Sequence, residues 1–189
     1  MKKIAILASG SGSNAQKIIE YFEEKDDYQV AIVLSNKSDA YVLERADNFE
    51  IPGQVFSRNE FYDTENVLAL LKRLNIDLIA LAGFLWKVPQ YLIDAFPKRI
   101  INLHPALLPL HGGKGMYGKR VHQAVLESGD KETGITIHYV NENYDEGQII
   151  GQYRCPVSKE DTIDTLAFKV QQLEHQYYPK ALFQAAKKL

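Results

Sequence analysis

Asn102 and His104 stand two apart in INLHPALLP, residues 101–109, at the end of an apolar run and ahead of Pro105 and Pro109. Residues two apart on a strand face the same side, so both side chains can converge on one point while Leu103 points into the core. Pro105 removes a backbone donor and biases His104 toward an extended backbone. An asparagine amide can donate to a developing oxyanion and a histidine can donate a proton near neutral pH, a pairing that suits acyl transfer through a tetrahedral intermediate. The chain has no G-x-S-x-G elbow, and its one cysteine, Cys155, precedes Pro156 in a β-like run where a structural thiol is expected. The attacking group is therefore expected to belong to the substrate. Asp145, in NENYDEGQI, follows a β-like run on a polar loop and could sit beside His104, raising its pKa. The same residues also read as a capped strand end and a turn aspartate before Gly147.

A second candidate lies at the front. SGSGSNA, Ser9–Ala15, falls where a first strand turns into a first helix and fits G-x-G-x-x-G/A with Gly10, Gly12 and Ala15. Glycines there let backbone approach an anion while the helix N-terminus favours negative charge. A dinucleotide enzyme would add an acid at the end of the second strand. That place reads Leu34-Ser35-Asn36-Lys37, with no acid until Asp39 and no G-x-x-x-x-G-K-S/T pattern, so a monophosphate site fits better than NAD. The loop also reads as a tight turn that needs small residues for helix–sheet contact, with Ser13 and Asn14 as ordinary caps.

The elements that must position these residues follow an alternation of short apolar runs and amphipathic segments, which predicts βαβ units. Strands are expected at 3–8, 29–35, 54–56, 78–82 and 100–103. Helices are expected at 14–24 behind a Ser/Asn cap, 40–49 capped by Ser38 or Asp39, 65–75 and 89–96. Beyond residue 104 come the glycine-rich loop HGGKGMYGKR, a helix near 121–128, β-like runs at 133–140 and 148–157, and a long helix from a cap at Asp161 or Thr162 that Pro179 bends or interrupts. The fold class is α/β: a doubly wound, mostly parallel sheet with a carboxyl-terminal β-β-α extension on the same sheet. One domain, 1–189, is expected, with 1–103 as a Rossmann-like phosphate-binding half and 104–189 as the catalytic half.

With 22 basic and 24 acidic residues spread along the chain, no basic footprint marks a nucleic-acid partner, and a small-molecule partner is expected. A single cysteine suits a reducing compartment, the cytoplasm. The apolar run Ile4–Ala8 is too brief for a signal-peptide core or a membrane span and reads as a buried strand.

The segments SGSGSN, LSNKSDAYVLERA, LAGFLWKV, INLHPALLP, HQAVLESGDKETGITIHYVNENYDEGQII and VQQLEHQYYP resemble the folate-dependent glycinamide ribonucleotide formyltransferases over nearly the whole chain. The resemblance implies the formyltransferase fold and transfer of a formyl group from 10-formyltetrahydrofolate to the amine of 5'-phosphoribosylglycinamide in purine biosynthesis, with no metal. It implies that Gly12, Ser13 and Asn14 hold the phosphate, and that Gln171 and Glu174 contact the phosphoribosyl part. Asn102, His104 and Asp145 match the family's catalytic trio. The folate is expected between Leu85, Trp86, Lys87, Val88 and the loop Asn141, Glu142, Asn143, Tyr144, Asp145. Members often carry a basic residue at the position of Trp86, which leaves Lys87, Arg58 or stacking on the indole to hold the folate tail. The loop 111–120 is expected to border the site and to be mobile. A formyltetrahydrofolate hydrolase or a methionyl-tRNA formyltransferase would be expected to carry a further domain, and a binding module without catalysis would leave the trio accidental.

Overall fold

Ile4, Ile6 and Ala8 pack to one side of the first strand and Ala5 and Leu7 to the other, and all five are fully buried. A strand with no polar face belongs in the middle of a sheet covered on both sides. The computed structural model, which describes residues 1–189, has this strand, β1 (Lys2–Ala8), third in order in the interior of a seven-stranded sheet. Around it lie β2 (Tyr28–Ser35), β3 (Gly53–Val55), β4 (Leu78–Leu81), β5 (Ile100–His104), β6 (Glu132–Tyr139) and β7 (Ile149–Pro156) in the order β3-β2-β1-β4-β5-β6-β7. The first five strands are parallel, and β6 and β7 join antiparallel. This is the doubly wound α/β sheet, extended by β-β-α on its far edge.

Each face has its own core. Helix α1 (Ser13–Glu23), α2 (Val42–Asn48) and the long α7 (Ile163–Ala186) cover one side, where Ile18, Phe22, Val42, Val170, Tyr178 and Leu182 meet alternate residues of the strands. On the other side α3 (Arg58–Tyr62), α4 (Asn66–Arg73) and α5 (Gln90–Ala95) contribute Phe61, Leu71 and Leu92. The remaining helix, α6 (Lys119–Ser128), precedes β6. Tyr178 of α7 is wholly buried, and its hydroxyl donates toward the Leu81 and Ile101 carbonyls at 3.0 and 2.9 Å, tying α7 to β4 and β5. Burial pushes that phenol far above its ordinary pKa.

Three expectations are corrected. Helix α1 starts on Gly12 in the left-handed region (φ 75) without a Ser or Asn side-chain cap, and α2 starts on Tyr41 rather than Ser38 or Asp39. At Gly12 a β-carbon would lie 2.5 Å from Val42 Cγ2, so close helix contact, as well as any anion, requires the glycine. Pro179 does not break α7, which runs unbroken through it; the proline is buried between Tyr178 and Ala181 in the core, where packing outweighs one lost helical donor. The short α3 was not expected, although Ser57 and Glu60 form a reciprocal capping box at its start. No helix is long and apolar enough to cross a membrane.

Candidate active site

The parallel strands end on one edge of the sheet, where open α/β sheets bind ligands. Asn102 and His104 close β5 there, on the face opposite buried Ile101 and Leu103. In the antiparallel pairing with β6, Asn102 lies opposite His138 and His104 opposite Thr136. The Thr136 hydroxyl donates to the Ala106 carbonyl (2.7 Å) and accepts from Leu108 N–H (2.9 Å), which fixes the turn after His104. Asp145 arrives on the β6–β7 loop with φ 57, a left-handed backbone that aspartate tolerates better than most residues.

Its carboxylate faces His104, His138, Asn102 and the Gly113 amide. Asp145 Oδ2 lies 3.5 Å from His104 Nδ1 and accepts from Gly113 N–H at 3.0 Å. Oδ1 lies 3.6 Å from His138 Nε2 and accepts from Asn102 Nδ2 at 3.4 Å, a long contact that a stronger acceptor can displace. The second histidine nitrogens fix the tautomers. His104 Nε2 is 2.8 Å from the His111 carbonyl, which can only accept, so the proton sits on Nε2 and Nδ1 is left facing Asp145. His138 Nδ1 is likewise 3.0 Å from the Tyr139 carbonyl, leaving its Nε2 toward Asn102 at 3.3 Å.

Burial lowers the His104 pKa below its ordinary value, and Asp145 only partly opposes it. The expected raised pKa is thus reversed: 3% exposure removes more hydration than the carboxylate returns. For Asp145, burial works upward, but the His138 and His104 imidazoles beside it and the Gly113 N–H hold the carboxyl below its usual range. Burial thus favours the neutral imidazole of His104, while its surroundings favour the ionised form of Asp145.

These groups line a cavity of about 320 Å³, the size range of small-molecule sites. One wall is Leu85–Val88, which Ser9 holds in place by accepting from Leu85 N–H (3.0 Å) and donating to Asn36 Oδ1 (2.7 Å). Asn36 occupies the strand end where a dinucleotide enzyme would have its acid. Asn141, Asn143 and Tyr144 line the cavity too, whereas Glu142 is exposed and does not. At the far end Asn14 Nδ2 donates to Glu174 Oε2 (2.7 Å), and Gln171 Nε2 donates to Ser13 Oγ (3.3 Å), so α7 is joined to the front loop at the named residues. Asn14 Oδ1 is buried without a partner, as is Nδ1 of cavity-lining His122. Each is a polar atom that a ligand can satisfy.

His138, Thr136 and His122 were not foreseen. Gly134, Thr136 and His138 share one face of β6, and that polar alternation was the available signal. Arg45 was missed as well: its guanidinium donates to the Ser11 carbonyl at 2.7 Å and to Gln16 Oε1, bracing the front loop with a positive charge. Cys155 is half-buried on β7 with its thiol pKa raised by burial, unsuited to nucleophilic work. No group of three or more His, Cys, Asp or Glu side chains is arranged to hold a metal ion.

Burial raises the Glu174 carboxyl above its ordinary value, against the opposing bond from Asn14. A raised folded-state pKa stabilises the fold fully below the unfolded value, and that contribution is lost as pH rises through the folded value. Glu174→Gln keeps an acceptor for Asn14, so its unfolding free energy should stay flat with pH where that of the native chain declines above the ordinary glutamate range. Urea unfolding at a series of pH values measures the difference; parallel curves would mean that Glu174 is not desolvated.

Residues 2–182 match the family described as Formyl transferase. Among curated relatives, the chain is 42% identical over 183 residues to the chloroplastic phosphoribosylglycinamide formyltransferase of Arabidopsis thaliana, covering 94% of this chain and 63% of that longer protein. It is 39% identical over 184 residues to the phosphoribosylglycinamide formyltransferase of Haemophilus influenzae, covering 95% of this chain and 84% of that one. The crystal structure of phosphoribosylglycinamide formyltransferase from Anaplasma phagocytophilum superposes with a TM-score of 0.90 at 33% identity, over 99% of this chain and 88% of that one.

Proposed function

The chain belongs to the formyl transferase family, and on that premise we propose that it transfers the formyl group of 10-formyltetrahydrofolate to the amine of 5'-phosphoribosylglycinamide, a step of purine biosynthesis. The observation that carries this reading is one cavity lined by Asn102, His104 and Asp145 at its centre and by Asn14 and Glu174 at its end. Its orphaned buried polar atoms and its apolar wall fit one ligand with a phosphorylated sugar and one with a flat ring. In this reading residues 1–103 supply the phosphate-binding half and 104–189 the catalytic and folate-binding half. The partners are these two small molecules rather than nucleic acid, and the setting is the cytoplasm.

The folate supplies the activated formyl carbon. Gly12, Ser13 and Asn14 at the start of α1 receive the phosphate, where free helix N–H groups favour an anion, and Gln171 and Glu174 hold the sugar. Neutral His104 accepts the amine proton on Nδ1, and the ionised Asp145 stabilises the imidazolium that forms. Asn102 Nδ2 turns from Asp145 to the formyl oxygen as negative charge develops there. His104 then returns its proton to the departing folate nitrogen. No metal and no covalent adduct with the protein enters this sequence. Absorbance-monitored folate turnover with and without the ribonucleotide tests it: a transferase requires both, a hydrolase consumes the folate alone, and a binding module consumes neither.

The folate tail is assigned to Trp86 and its cations. The indole packs among Phe56, Phe61 and Tyr62 at 5.9–6.0 Å. The Arg58 guanidinium lies 4.7 Å from the Tyr62 ring centre and 5.8 Å from that of Trp86, and Lys87 Nζ lies 5.6 Å from that of Tyr144. In this reading Arg58, nearer Tyr62 than the indole, supplies the charge that relatives often place at this position. Trp86→Ala should raise the folate KM roughly fivefold, from about 1 kcal/mol of aromatic contact, with the ribonucleotide KM unchanged. Steady-state kinetics decides; equal weakening of both substrates would point to a damaged fold instead.

A further inference from the structure

We infer that His111 and Asp130 are a positioning pair that sets the geometry of His104 and Asp145 from outside the cavity. Neither lines the cavity. The turn that carries His111 nevertheless touches both members of the central pair: its carbonyl receives His104 Nε2 at 2.8 Å, and Gly113 N–H donates to Asp145 Oδ2 at 3.0 Å. One short turn thereby presents an acceptor to the imidazole and a donor to the carboxylate.

That turn does not hold itself. His111 has φ 53 and Gly113 φ 95, and for histidine the left-handed region is unfavourable. A β-carbon at Gly112 would lie 2.5 Å from Leu108 Cδ2, so the chain is also packed tightly against its own preceding segment. The side-chain tie that fixes the turn is His111 Nε2 to Asp130 Oδ2 at 2.7 Å. Asp130 directly follows Gly129, the left-handed residue that ends α6, so the turn is anchored to the junction between α6 and β6. Hydrogen bonding from His111 keeps the Asp130 carboxyl below its ordinary pKa, in its accepting form.

If the tie is cut, the His111 carbonyl is free to rotate from His104 Nε2. The His104 proton is then no longer confined to Nε2, and Nδ1, still facing Asp145, is no longer kept free to accept a proton. The inference rests on His104 acting in the proposed transfer, but its first readout needs no turnover. Nitrogen-15 NMR of the native chain should show His104 protonated on Nε2, and Asp130→Ala and His111→Ala should each show a mixture of tautomers. The turnover number should fall about tenfold in both, as expected for a slightly misplaced catalytic group, with both KM values within twofold of native. His111→Gln, whose amide can still donate to Asp130, should recover most of the loss. Asp130→Ala carries the test should His111→Ala fold poorly. An unchanged His104 tautomer in Asp130→Ala, or a loss in His111→Gln as large as in His111→Ala, would overturn the inference. A changed tautomer in a chain that transfers no formyl group would uphold the pair and remove the proposed activity instead.

Discussion

Asp145→Asn is expected to cut turnover ~100-fold or more, the scale of a positioned acid–base group, while ribonucleotide binding stays nearly native. The substitution keeps size and hydrogen bonding but removes the charge that faces His104 Nδ1. Burial already lowers the His104 pKa, and Asp145 is the main opposing influence, so losing the carboxylate must lower it further. The imidazolium required during transfer then has no counter-charge. The variant's stability should change in the opposite pH region. Because Asp145 has a lowered folded-state pKa, its contribution is present above the ordinary carboxylate range and is lost as pH falls through the folded value. The asparagine chain should lack that acid limb. An NMR titration of His104 beside the turnover rate of both proteins decides: an unshifted pKa with full activity would leave Asp145 a turn residue.

The largest loss of stability is expected from Gly147→Ala. A β-carbon there would lie 1.7 Å from the Tyr139 carbonyl oxygen and 2.8 Å from its carbon, both backbone atoms that no rotamer change can move aside. Tyr139 N–H also donates to the Gln148 carbonyl at 2.9 Å, so relief would pull apart the first rung of the β6–β7 pair. We expect a loss of about 3 kcal/mol, or a fall in Tm of roughly 6–12 °C for a chain of this size. Activity should drop as well, because Asp145 lies two residues upstream and His138 Nδ1 would be 3.4 Å from the new methyl. Gly10→Ala, whose β-carbon would meet nothing within 4 Å, is the control. Equal melting temperatures for the two variants would refute the steric argument. The same contact explains the glycine of the Asp-x-Gly step: it lets the loop close over the end of β6.

Strands were legible to within a residue or so; in β1 and β4 the reason is a short apolar run buried on both faces, a pattern that survives whatever the neighbours are, whereas β3 is exposed throughout and β7 is at most half-buried. Helix starts were less legible. Ser13, Asn14 and Ser38 have capping chemistry, but α1 begins where Gly12 allows contact with Val42, a tertiary demand invisible in local sequence. The capping box of Ser57 and Glu60 is readable in the sequence, but five helical residues leave almost no periodicity to mark the helix behind it. Asn102 and His104 could be paired from strand spacing alone, and the front loop from its glycines. His138 required the antiparallel register of β5 and β6, His111 the path of a loop, and the sign of the His104 pKa the depth of its burial. None of these three is a property of neighbouring letters.

The bond between Asn14 and Glu174 joins residues 160 positions apart, and this separation bears on how the protein is made. During synthesis the glycine loop leaves the ribosome early, but its partner Glu174 follows only with α7, after every strand of the sheet has emerged. Contacts of such range close late and slowly, so an unfinished chain has the loop without the partner that the proposed nucleotide site needs. The proposed ribonucleotide binding would therefore discriminate finished molecules from partial ones, and by mass action it would favour the finished ones.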